Sequence, residues 1–282
     1  MKVSLQQLLR EADRAQYAVP AFNYSDIWEL LAIVETAAQL RAPVICQSHT
    51  KITDIFSVDW LGGLGRAIMD NAICPVINHL DHSASEQLCI QAIDSGYASV
   101  MFDGSSLALE ENIRRTQQVT AYARQHGDIC VEGEIGRIRG NSDEGTFAGG
   151  DYLADVDDVV RMAAESGVDS LAVGLGNAHG FYRQRPQLDF ALLERINAAV
   201  ATPLVLHGGT GIPEEDIQRA IRGGINKVNV GTHLHDTYVK SLCRTLHDDP
   251  EATLLPTMTT AKEAIRPVVE HWIRLCMAND RY

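Results

Sequence analysis

The stretch that decides the fold is Pro203-Leu-Val-Leu-His-Gly-Gly-Thr-Gly-Ile-Pro213, followed by a helical span and then Lys227-Val-Asn-Val-Gly-Thr232. An apolar run opens at a proline and ends in glycines, a helical stretch follows, and a second apolar run closes the unit. That order predicts strand, helix, strand. Moving outward, the same rhythm recurs over most of the chain. Eight short apolar runs alternate with helical stretches: Ala18–Asn23, Pro43–Gln47, Pro75–Leu80, Ser99–Asp103, Ile129–Gly133, Ser170–Leu175, Pro203–His207 and Lys227–Val230. They are nearly continuously apolar rather than alternating, as parallel strands covered by helices must be.

Eight such units in unbroken series predict an α/β fold, a closed (β/α)8 TIM barrel formed by one domain spanning residues 1–282. Before it, Leu5, Leu8, Leu9 and Ala12 fall at helical spacing behind a Ser4–Gln7 capping pattern, predicting an N-terminal helix. After it, Ala264, Ile265, Val268, Val269, Trp272 and Ile273 form the apolar stripe of a C-terminal helical extension, read as packing against the barrel or a partner subunit. No GxGxxG follows the first run, which disfavours a dinucleotide-binding half. The polar, glycine-rich segment 141–151 breaks the rhythm and reads as a lid-type loop.

The 282 residues are 45% hydrophobic and 22% charged, a composition that excludes a disordered chain, a collagen and a coiled coil. The net charge of −13 argues against nucleic-acid and anionic-membrane partners. A phosphorylated ligand would therefore be held by local donors. Cys46, Cys74, Cys89, Cys130, Cys243 and Cys276 contain no CxxC and read as free thiols of a reducing compartment. The start of the chain has no signal-peptide pattern and no run reaches membrane-spanning length, so the expected location is cytoplasmic.

Barrel enzymes place their reacting groups at the C-terminal ends of the strands. Here those ends carry His79-Leu-Asp-His82, Asp103, Glu132 and Glu134, Asn177-Ala-His-Gly180, His207 and Asn229-Val-Gly-Thr232. Histidines from separate strands with an open position suit a catalytic zinc site. The Asp81–His82 pair suits a metal ligand beside a proton carrier. The glycine-rich turns after the seventh and eighth runs, with Thr210 and Thr232, offer bare amides and hydroxyls for a phosphate. His233 and His235 read as exposed residues of a helix start, Lys227 as an ion-pair or surface residue away from the rim, and His49 and His126 as ordinary polar residues.

Together these motifs, with Tyr17-Ala-Val-Pro-Ala-Phe-Asn23, Val131-Glu-Gly-Glu-Ile-Gly136, Asp169-Ser-Leu-Ala-Val173 and Gly176-Asn-Ala-His-Gly-Phe-Tyr182, resemble the class II, zinc-dependent ketose-bisphosphate aldolases, most closely the tagatose-bisphosphate branch. The resemblance implies a lyase that reversibly cleaves a ketose 1,6-bisphosphate or related ketose phosphate to dihydroxyacetone phosphate and an aldehyde such as glyceraldehyde 3-phosphate, through a zinc-stabilised enediolate. It implies one Zn²⁺ per subunit on His82, His179 and His207, with Glu134 an alternative ligand, and a monovalent cation near the phosphate. Asp81 would exchange the proton of the aldehyde-derived hydroxyl, and Glu132 would stand behind the ligands. Gly180, Gly208, Gly209, Thr210, Asn229, Val230, Gly231 and Thr232 would bind substrate. The expected assembly is a homodimer or homotetramer.

Several positions depart from the family pattern, among them His233-Leu-His235 in place of the usual Glu-Leu. Ser142 stands where a loop glutamate acts as carbanion base, leaving Asp143 or Glu144. Gly231 replaces the aspartate of the fructose branch, favouring a tagatose-type substrate. Arg183 stands where many relatives have lysine. Two other readings are a barrel metal-dependent hydrolase, which would want an HxH where this chain has Ala21-Phe-Asn23, and a non-catalytic sugar-phosphate-binding relative.

Overall fold

The computed structural model describes residues 3–136, 153–178 and 186–282. Its centre is a closed barrel of eight parallel strands: β1 (Val19–Asn23), β2 (Val44–His49), β3 (Val76–Ser83), β4 (Ser99–Phe102), β5 (Cys130–Ile135), β6 (Ser170–Val173), β7 (Leu204–Leu206) and β8 (Ile225–Val230). Each pairs with its neighbour in the chain, and β8 returns to β1. Every run read as a strand is one, and the predicted barrel is the fold observed.

The described helices are α1 (Leu5–Ala15), α2 (Ile27–Gln39), α3 (Thr50–Thr53), α4 (Val58–Asn71), α5 (Glu86–Ser95), α6 (Leu109–Ala123), α7 (Val156–Ser166), α8 (Phe190–Ala199), α9 (Glu214–Arg222), α10 (Thr232–Asp248) and α11 (Leu254–Leu275). Short polar side chains start many of them by accepting first-turn amides, as Asp26 does from Trp28 and Glu29 at 2.8 and 2.9 Å. In α1, Ser4 and Gln7 form the predicted capping box, and Leu5, Leu8, Leu9 and Ala12 are buried. Gln6 bonds Asp169 just before β6 and Asp13 accepts from Asn226 in early β8, so α1 lies at the N-terminal end of the strands. The α11 stripe buries Ile265, Val268, Val269, Trp272 and Ile273, packing against α2 and α10. No described helix is long and apolar enough to cross a membrane.

Side chains of a strand alternate between its faces with period two. The outward faces meet the helices and are mostly apolar, with Asn78 and Asn226 among the polar exceptions. The inward faces become polar toward the C-terminal ends, where Gln47, His79 and Asp81, Glu132 and Glu134, and Lys227 and Asn229 meet one another across the lumen.

Strand β3 departs from this alternation at its end. Its register with β4 shifts between Leu80 and Ser83, and His82 adopts φ +53°. That left-handed conformation costs a non-glycine residue roughly 1–3 kcal/mol. It turns His82 so that its imidazole meets Asp103 and Glu134 and reaches His207, while the preceding Asp81 also faces the lumen. Adjacent residues of one strand thus serve the same site.

Candidate active site

Asp81 is buried beneath the mouth of the barrel and gripped by amides from three strands. Asn23 Nδ2 donates to its Oδ2 at 2.9 Å and Asn229 Nδ2 to its Oδ1 at 3.2 Å. Gln47 Nε2 donates to Asn23 Oδ1 at 2.9 Å and reaches Asp81 Oδ2 at 3.4 Å. Burial alone would raise the Asp81 carboxyl, but the surrounding His82, His207 and Lys227 outweigh it and hold it well below the usual carboxylate range. An ionised, oriented carboxylate is equipped to accept a proton.

Next to it, His82 Nδ1 lies 2.9 Å from Asp103 Oδ2 and 3.8 Å from Glu134 Oε2. His207, arriving just after β7, places Nδ1 3.4 Å from the same Glu134 oxygen, and the two imidazole rings stand edge to face at 4.6 Å. Ligand atoms of Asp81, His82 and His207 lie within 4.8 Å of one another, as do those of His82, Asp103 and Glu134. Burial would lower the His82 imidazole, yet Asp81, Asp103 and Glu134 lift it to about 10. Glu134 is raised by burial and by Asp103, and its buried Oε2 makes no hydrogen bond of acceptable geometry among the described residues. Imidazoles and crowded carboxylates at this spacing form a donor set for a divalent cation, and the residues present fit one.

Behind His207 the lumen holds a second polar layer. Glu132 Oε1 accepts from His207 Nε2 at 3.0 Å, and Lys227 Nζ donates to Glu132 Oε2 at 2.6 Å. All three side chains are fully buried. Burial would raise the Glu132 carboxyl, but Lys227 with His207 and His79 holds it low. His79 is lowered to about 3 by burial and by Lys227, and its Nδ1 meets Ser99 Oγ at 2.8 Å. The surface alternative for Lys227 is thereby corrected: the residue makes the ion pair, but inside the barrel. Position along a strand gives its height, whereas the long stem carries the ammonium across the lumen.

The loops after β7 and β8 meet at the rim. Gly208 and Gly211 take φ +68° and +89°, conformations that suit glycine. Thr210 Oγ1 accepts from His233 N at 3.3 Å, so a hydroxyl of the β7 turn takes a first-turn amide of α10, which begins directly after Gly231 and has no side-chain cap of its own at that glycine. The expectation of a bare Gly209 amide is corrected, because that amide donates to Asn229 O at 3.1 Å. A Cβ on Gly209 would meet Asn229 O at 3.0 Å and Trp272 at 3.3 Å, so glycine there permits close packing. Val230 is fully buried within β8.

His233 and His235 are half-buried rather than exposed. His233 Nδ1 accepts from Trp272 Nε1 at 3.2 Å, and His235 Nδ1 lies 2.8 Å from the buried Glu29. Their different partners rule out a shared ligand pair. His49 caps α3 by accepting from Lys51 N at 3.1 Å, and its ring lies 5.7 Å from that of His82.

The structure therefore brings Asp81, His82, His207, Glu134 and Asn229 together. His179, Gly180, Asp143, Glu144 and Arg183 lie outside the described residues. Sequence reasoning missed Asn23 and Gln47 as holders of Asp81, Asp103 as the partner of His82, and the buried role of Lys227. The available signal was i, i+2 polar spacing for Gln47 with His49 and for Lys227 with Asn229, whereas Asn23 and Asp103 stood only as the polar ends of their runs.

A family model described as fructose-bisphosphate aldolase class-II matches residues 3–281. The chain belongs to that family. It is a class II aldolase, of the metal-dependent kind for which the site has the donors. The chain is 37% identical over 277 residues to a 6-phospho-5-dehydro-2-deoxy-D-gluconate aldolase of Bacillus subtilis (strain 168), covering 94% of this chain and 93% of the relative. Against the Bacillus licheniformis protein of the same description the identity is 36%, covering 94% and 92%. Among solved structures, the YdjI aldolase of Escherichia coli K12 superposes with a TM-score of 0.88 at 29% identity, covering 100% of this chain and 99% of that one. The Campylobacter jejuni fructose-bisphosphate aldolase shares the fold, with a TM-score of 0.84 at 19% identity over 99% of this chain and 97% of its own. Membership of this family favours carbon–carbon bond cleavage over the hydrolase reading.

Proposed function

We propose that this aldolase uses zinc to cleave a ketose phosphate reversibly into dihydroxyacetone phosphate and an aldehyde. The observation that carries the reading is the convergence of the amide-held Asp81 with His82, His207 and Glu134. In this reading His82 and His207, with His179 from the sequence, hold the metal, and Glu134 is an alternative ligand.

Asp81 takes the proton from the hydroxyl on the carbon β to the ketone. The bond between the α and β carbons then breaks, the aldehyde departs, and the ketone fragment keeps the electron pair. Zinc, when bound, supplies a Lewis acid for the charge on that fragment. The proton that completes the ketone product falls to Asp143 or Glu144, in the stretch of sequence that follows β5. Phosphate is held where the β7 turn meets the start of α10, from Gly208 and Thr210 and from Asn229 through Thr232, with Gly180 from the sequence and Gly209 contributing close packing. An anion there gains from the positive end of the helix dipole.

Two substrates lead. The Bacillus relatives' substrate, 6-phospho-5-dehydro-2-deoxy-D-gluconate, would break between C3 and C4 to give dihydroxyacetone phosphate and a three-carbon aldehyde acid. Tagatose 1,6-bisphosphate, favoured by Gly231 in place of the fructose branch's aspartate, would give glyceraldehyde 3-phosphate instead. The free cysteines, five of them buried, support a reducing, cytoplasmic setting.

The test is a coupled assay for dihydroxyacetone phosphate release over these two compounds, fructose 1,6-bisphosphate and ketose 1-phosphates. Release from one compound, abolished by chelation and restored by Zn²⁺, is expected and names the aldehyde half. Cleavage that survives complete metal removal overturns the zinc reading.

A further inference from the structure

We infer that Lys227 is a positioning residue for His207, acting through Glu132 to fix which imidazole nitrogen faces the metal. The inference rests on the zinc reading above. The chain of contacts is Lys227 Nζ to Glu132 Oε2 at 2.6 Å, then Glu132 Oε1 to His207 Nε2 at 3.0 Å. With its Nε2 proton donated to Glu132, His207 carries its lone pair on Nδ1, the nitrogen lying 3.4 Å from Glu134 in the candidate cation site.

Glu132 can perform this service only while its other oxygen is held. Apart from Lys227, Oε2 has one further described hydrogen-bond partner, Ser170 Oγ at the longer distance of 3.3 Å. The ammonium itself is aimed from the far side by His79 Nε2 at 3.5 Å, whose ring is fixed by Ser99. Removing Lys227 would leave a buried carboxylate free to rotate away from His207.

Fold stability alone does not call for such a pair. Buried ion pairs replaced by apolar groups of similar volume often leave stability unchanged or improved. The lumen at this height needs volume, which a methionine would supply. What an apolar side chain cannot supply is a fixed acceptor behind His207, so the charges belong to the ligand above them. Glu132 and Lys227 both lie behind the imidazole, so their effect on the metal is transmitted by His207.

The experiment compares full-length wild type with K227M, which keeps the stem and removes the ammonium, and with K227M/E132Q, which removes both buried charges. Chelator-stripped proteins are titrated with Zn²⁺ against a chromophoric chelator, and the visible absorption bands of the Co²⁺-loaded forms are recorded beside Tm. K227M is expected to bind Zn²⁺ about 10–100-fold more weakly, the usual cost of losing an outer partner of a metal ligand, with shifted Co²⁺ bands. The double variant, having no uncompensated buried charge, is expected to regain the Tm of wild type while keeping weakened affinity and shifted bands. It carries the test if K227M does not fold. Wild-type affinity and unshifted bands in the folded variants overturn the inference and leave the zinc reading standing. A wild-type protein that takes up no Zn²⁺ overturns both.

Discussion

Asn23 Nδ2, at the end of β1, lies 2.9 Å from Asp81 Oδ2, at the end of β3. The contact spans the strand between them, and β2 contributes Gln47, which bonds to both residues. The carboxylate proposed to move the proton is thus aimed by side chains from its neighbours across the sheet.

Truncating this support should slow chemistry while sparing the fold. Asn23→Ala is expected to lower kcat about 10-fold, a fraction of the ~10²–10⁴-fold worth of a placed general base. Zinc content should stay at the wild-type level. Steady-state cleavage with metal analysis on the same preparation checks this, and an unchanged kcat rejects the orienting role.

Asp81→Ala removes the proton carrier itself. Turnover should fall by at least about 10²-fold with metal retained. Near-normal cleavage would show that another group takes the hydroxyl proton.

His207→Ala should do the reverse, losing metal first and activity as a result. Metal stoichiometry after dialysis against a fixed free Zn²⁺ concentration distinguishes the two variants. Stoichiometric metal in the folded His207 variant would remove this residue from the ligand set.

Gly231 offers a more remote handle on Asp81. A Cβ built there would lie 3.0 Å from Asn23 Oδ1, a tight approach that forces the amide to shift. Gly231→Ala is expected to lower kcat/KM about 10-fold with little change in Tm. Because both changes act through one amide, its effect should largely vanish in an Asn23→Ala background, a non-additivity that a double-mutant cycle measures. Full additivity would place the effect of Gly231 elsewhere.

The barrel was legible because its signal is repetitive: continuous apolar runs with proline, aspartate or glycine at their edges cannot all be outer helices. Asp81, His82 and His207 were legible because each ends such a run. The remaining features depend on distances across the lumen, which linear order does not encode. Asn23 and Gln47 look like ordinary strand-end amides until β1, β2 and β3 stand side by side. Lys227 looks remote from the rim until its four-carbon stem is laid across the barrel. The left-handed turn at His82 is open to histidine more than to most residue types, but which strand end takes it is visible only in the fold, where it accompanies the contacts with Asp103 and Glu134.

Strands β3 and β7 stand four places apart in a ring of eight, on opposite sides of the barrel. A cation gripped by His82 and His207 together would fasten those two walls across the diameter, much as a tie rod holds facing walls of a building. Metal removal should therefore lower Tm and readdition restore it, with about 2.7 kcal/mol of added stability at a hundredfold excess over Kd. Asp81 and His82, by contrast, ride on one strand, so their mutual offset is insensitive to any parting of the walls. Bound metal becomes a gauge of whether the ring is shut, and a partly opened barrel would surrender its cation before it lost the pairing of carboxylate and imidazole.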